Sequence, residues 1–86
     1  RELYAEYVAR ARAIIENAGG RYLVRGGRVI TLSGEWQPKR LVVIEFTSVE
    51  LAQQCLASPE YRAIAQLRER GAISRAIIAE GFAPPQ

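Results

Sequence analysis

The run Arg40-Leu-Val-Val-Ile-Glu-Phe46 constrains this chain more than any other stretch. Its apolar residues follow one another without the three-and-four spacing of a helix, and Val, Ile and Phe favour extended backbone. Alternation puts Val42, Ile44 and Phe46 on one side of the strand and Leu41, Val43 and Glu45 on the other. Such a strand predicts cover on both faces for most of its length. A chain of 86 residues forms a single domain, 1–86, and buries only about 60% of its unfolded surface. Part of the cover is therefore expected from a partner.

The remaining elements follow in order. Leu3, Tyr4, Tyr7, Val8, Ala11, Ile14, Ile15 and Ala18 line one side of a helix over residues 1–18, closed by Gly19-Gly20. Residues 21–32 read as one bent strand with a bulge or turn at Gly26-Gly27, and Ser33-Gly34 opens the loop that reverses the chain into the 40–46 strand. Thr47-Ser48-Val49-Glu50 is a capping-box pattern, with Glu50 placed to return a hydrogen bond to the helix start. Ser58-Pro59-Glu60 then starts a second helix, which Gly71 stops. Ile73 to Glu80 predicts a last strand, and Pro84-Pro85 a loose tail.

The order α-β-β-α-β is the ferredoxin-like pattern without its first strand. In that topology the first strand lies in the middle of the sheet, so a strand before Arg1, or one from another chain, is expected beside residues 40–46. Helices in such a fold cover one face of the sheet, leaving Leu41, Val43 and Glu45 on a face too apolar for water. A homodimer packed sheet against sheet is the expected remedy.

Composition excludes several functions. Apolar residues make up 49% and charged ones 24%, which is globular and not disordered. There is no histidine and a single cysteine, so zinc, haem and imidazole acid-base chemistry are not expected, and no cofactor or metal is predicted. The lone Cys55, with no membrane span or signal peptide in view, points to the cytoplasm. The net charge of +3 comes from scattered residues, and Leu41 and Val43 stand where an RNA-binding sheet needs stacking aromatics. Nucleic acid and membrane are accordingly not expected partners.

Gly-Gly-Arg-Tyr-Leu-Val-Arg-Gly-Gly at 19–27, Gly-Glu-Trp-Gln-Pro-Lys-Arg-Leu-Val-Val-Ile-Glu-Phe at 34–46 and Ser-Pro-Glu-Tyr-Arg at 58–62 resemble the small bacterial proteins grouped as domain of unknown function 1330. The resemblance implies a ferredoxin-like dimeric α+β barrel and no particular activity. Its superfamily includes cofactor-independent oxygenases and isomerases, the most that enzyme chemistry here would amount to by analogy.

Four residues are the candidates for contacting a small, partly hydrophobic and acidic metabolite between subunits: Arg25, Trp36, Glu45 and Tyr61. Arg25, Glu45 and Arg75 are charges in apolar strands, and each needs a partner, either a mutual Arg-Glu bridge or an anionic ligand. Trp36 either covers a pocket mouth or packs on the other subunit, and Tyr61 either offers its hydroxyl or belongs to the core. Cys55 reads as a small hydrophobe and not a reactive thiol. A dimer without catalysis is the alternative function.

Overall fold

The computed structural model describes residues 2–71 and 74–82. Arg1, residues 72–73 (with the start of the expected last strand) and the Pro84-Pro85 tail lie outside the described residues, as do the side chains of residues 2–4 and 71. The elements run α1 (Glu2–Asn17), β1 (Arg21–Arg25), β2 (Val42–Glu45), α2 (Val49–Ala57) and α3 (Pro59–Gly71). The chain is α+β, with β1 and β2 forming a two-stranded antiparallel sheet.

The apolar stripe of α1 buries Ala11 and Ile15, and Tyr7 and Ile14 pack beside them. Its outer side carries the exposed pairs Glu6–Arg10 at 3.2 Å and Arg12–Glu16 at 3.3 Å. The helix ends because Gly19 turns left-handed at φ 91°. That conformation lets the Gly19 and Gly20 amides donate to Glu16 O at 3.1 Å and Ile15 O at 2.8 Å, which satisfies carbonyls the helix would otherwise leave bare. Gly20 also lies so close to the core that a Cβ there would stand 2.5 Å from Ile15 Cγ2 and 3.1 Å from the Phe46 ring.

The sheet pairs Arg21 with Glu45, Tyr22 with Ile44, Val24 with Val43 and Arg25 with Val42, and the register shifts between Tyr22 and Val24. Leu23 is thus an extra residue in β1. Opposed residues share a face and faces alternate along a strand, so the extra residue reverses the alternation of β1 halfway along. Tyr22, Ile44 and Phe46 pack on the helices. Arg25 and Val42 share that face but lie past the packed residues and are exposed, whereas Arg21, Val24, Val43 and Glu45 look away from the helices.

Several expectations need correction. The bent strand to Leu32 stops at Arg25, because Gly26 takes φ 78° and the Gly26 amide makes a 3.1 Å bond to Leu41 O before the chain leaves the sheet. Pairing limits the second strand to Val42–Glu45, where Val42 and Val43 are 37% and 38% exposed in the single chain. Residues 74–80 form no strand. A strand exists only beside a neighbour, and among the described residues β1 is the sole partner of β2.

Helices α2 and α3 start as their caps dictate. Ser48 accepts from the Leu51 amide at 3.1 Å, one residue later than the Thr47-to-Glu50 pattern implies. Glu50 consequently sits in the first turn, favourable to the helix dipole, rather than in the returning position. Ser58 joins the two helices: its hydroxyl donates to Cys55 O at 2.7 Å and accepts from the Tyr61 amide at 3.2 Å, with Pro59 opening α3. The core is Ala11, Ile15, Cys55, Tyr61 and Ile64, so it sits where α1, α2 and α3 meet on the sheet.

Candidate functional site

The bulge at Leu23 decides which charges meet. Arg21 stands opposite Glu45 on the face turned from the helices, and their side chains pair at 2.6 Å. Arg25 is displaced to the other face, where its guanidinium lies over the Tyr22 ring at 5.0 Å. Of the two partners open to Glu45, a bridging arginine is the one found, and it is Arg21 instead of Arg25. Arg75 lies exposed in the 74–80 segment, outside any strand.

Gly19, Arg21, Glu45, Phe46 and Thr47 line a shallow depression of 280 Å³. It forms where α1 turns into β1 and β2 runs out towards α2, so the short Gly19 and the ends of both strands leave room. Its chemistry is mixed: a guanidinium, a carboxylate, a hydroxyl, glycine backbone and the edge of an aromatic ring. Both members of the ion pair are more than half exposed, so water screens it.

Trp36 is 60% exposed in the loop between β1 and β2, and its carbonyl accepts from Thr31 Oγ1 at 2.9 Å. Tyr61 is only 5% exposed. Its hydroxyl shares a hydrogen bond with the Tyr7 hydroxyl and accepts from Arg68 Nη1 at 3.0 Å. The two rings meet edge to face with centroids 6.1 Å apart, and the Arg68 guanidinium lies 5.8 Å from the centre of the Tyr7 ring. Arg68 Nε is buried without a hydrogen-bond partner among the described residues. This cluster ties α1 to α3 within the helix layer, so the core reading of Tyr61 is the one its surroundings support.

Burial, then the hydrogen bond from Tyr7, pushes the Tyr61 phenol well above its ordinary value. Burial also raises the Tyr22 phenol, against the pull of Arg25, and the Cys55 thiol. Groups held neutral in this way are poor nucleophiles and bases. Among the described residues, the structure brings Arg21 and Glu45 together and leaves Arg25, Trp36 and Tyr61 apart from them. Arg21 and Arg68 were not among the candidate site residues, and Tyr7 entered only as part of the apolar stripe of the first helix. The pairing of Arg21 needs the register, and Arg68 could have been found as the cation seven residues beyond Tyr61 on one helix face.

Compared with known proteins, residues 1–82 match the family described as a domain of unknown function (DUF1330). None of the curated proteins matches the chain.

Proposed function

Because the chain belongs to the DUF1330 family, a membership that brings no activity with it, we propose a function from the geometry: a homodimer, its sheets face to face, that binds a small, partly hydrophobic carboxylate beside Arg21 and Glu45. The observation behind this reading is the Arg21–Glu45 pair, 2.6 Å apart on the wall of the 280 Å³ depression. An exposed ion pair contributes only about 0–1 kcal/mol, so a ligand carboxylate can take Arg21 from Glu45 at small cost. The guanidinium fork then grips it bidentately, and the Phe46 ring offers an apolar surface next to it. Apposition of a second sheet would exclude water from the same place and strengthen the contact.

This reading assigns binding and no reaction. Of the side chains on the depression, Glu45 is the one carboxylate, while Tyr61 and Cys55 are buried in the helix layer. The depression is open and its charges are already paired, and both points favour a second reading, a dimer without ligand.

Native mass spectrometry of the protein purified from its own host tests both. The binding reading expects a dimer with a retained small molecule, lost in Arg21→Ala while the dimer persists. Retention of the same molecule by Arg21→Ala would overturn the site. A dimer with nothing bound selects the second reading, and a strict monomer overturns both.

A further inference from the structure

We infer that Arg68, in the last turn of α3, anchors a further binding site, where a small organic acid lays its carboxylate along the free edge of the guanidinium between α1 and α3. The inference goes beyond the Arg21 site and does not depend on it. It starts from a donor without an acceptor: Arg68 Nε is buried and has no hydrogen-bond partner among the described residues. Buried polar groups are nearly all paired, so an unmet one calls for an occupant.

The geometry of the guanidinium defines what that occupant meets. Nη1 is committed to the Tyr61 hydroxyl at 3.0 Å. Nε and Nη2 share the edge of the plane that excludes Nη1, and their N–H bonds run parallel along it. Such an edge is the fork that matches the two oxygens of a carboxylate.

Charge points the same way. A guanidinium stays protonated at any physiological pH, and the ion pairs among the described residues use Arg10, Arg12 and Arg21 instead of Arg68. The groups that do touch Arg68 supply no negative charge. Tyr61 is held neutral, because burial and then the Tyr7 hydrogen bond push its phenol up, and the Tyr7 ring offers only its π system, with its centre 5.8 Å from the guanidinium carbon. A water molecule would satisfy the Nε hydrogen and leave the charge uncompensated, whereas an anion does both. The fork then selects among anions. Chloride presents a single acceptor atom, a phosphate dianion needs more charge than one arginine supplies, and a carboxylate brings two oxygens with one charge. Arg68 as a whole is half-buried, so its side chain is not sealed from solvent. Ile64, one turn earlier on α3, is buried, and an apolar neighbourhood of this kind strengthens a charged contact.

Titration of the natural full-length protein with sodium acetate, against sodium chloride at equal ionic strength, tests the site when followed by NMR of the arginine Nε–H groups. Acetate should shift the Arg68 Nε–H resonance saturably, and chloride should not. The acetate dissociation constant should rise about tenfold or more in Arg68→Lys, which keeps the charge and loses the fork, and should be unchanged in Arg21→Ala. An Arg68 resonance that ignores acetate means that water or another part of the chain meets Nε, and the inference is overturned. An equal response to chloride overturns it as well, since the fork then selects nothing. Loss of acetate binding in Arg21→Ala but not in Arg68→Lys also overturns it and places the carboxylate in the depression beside Glu45. The resonance is read in the wild-type protein, so the test stands even where Arg68→Lys fails to fold.

Discussion

The Tyr61 hydroxyl is a polar group inside an apolar helix interface, held by Tyr7 and Arg68. Tyr61→Phe keeps the ring and its edge-to-face contact but strips a partner from each of the other two. Leaving such groups short of a bond costs about 1–3 kcal/mol, and in a domain of this size each kcal/mol lowers Tm by about 4–8 °C. Urea unfolding should therefore show a clear loss, and an unchanged midpoint would mean that water satisfies both partners. The same residue sets a pH dependence. The folded chain holds the Tyr61 and Tyr22 phenols above their ordinary 10.0 and the Cys55 thiol above its ordinary 9.0. A raised pKa stabilises the fold fully below the ordinary value, and that stability is lost as pH rises and the unfolded chain ionises first. Tm should hold level up to about pH 8 and fall between pH 9 and 11. In Tyr61→Phe the part of the fall above pH 10 should be shallower, and an equal slope in both proteins would contradict the role given to this phenol.

Between elements, the joint at Ser58 does more than the cap at Ser48. The Ser58 hydroxyl serves both helices, donating to Cys55 O and accepting from the Tyr61 amide, whereas the Ser48 hydroxyl accepts from the Leu51 amide at the start of one helix. Ser48→Ala should cost about 1 kcal/mol and Ser58→Ala about 1–2 kcal/mol, with the order of the two midpoints in urea as the check. These helix starts were legible because capping is local: Ser-Pro-Glu at 58–60 states a cap, a first-turn proline and a dipole partner within three residues. Strand ends were not. The bulge at Leu23 has no residue type that marks it, yet it reverses the faces of β1 and moves Arg25 away from Glu45. The contact between Tyr7 and Tyr61 spans 54 positions, so no window along the chain reveals it. Residues 74–80 include the β-formers Ile77 and Ile78, but a strand also needs a neighbour, and propensity does not say whether one is present.

At the scale of the whole molecule, the chain is flat and spread. Its principal extents are 45 × 33 × 16 Å and its radius of gyration is 14.1 Å, whereas a compact domain of 86 residues would have about 12 Å. A thickness of 16 Å leaves room for one helix layer on one sheet and nothing beyond it. Leu32, Ile77 and Phe82 are each about nine-tenths exposed, which is the other side of the same thinness. In the proposed dimer, burial of such surface by a second copy would link folding to association, and that linkage has a signature no single-chain contact can imitate: Tm rises with protein concentration. Two protomers of 86 residues unfolding together gain about 0.36 kcal/mol/K in entropy, and a tenfold change in concentration is worth about 1.4 kcal/mol. Differential scanning calorimetry should show Tm climbing by about 4 °C for each tenfold increase in concentration, because the dimer must come apart as it melts. A Tm independent of concentration across a hundredfold range, with a reversible transition, would show that the thin single layer is stable by itself and that its exposed apolar side chains serve something other than self-association.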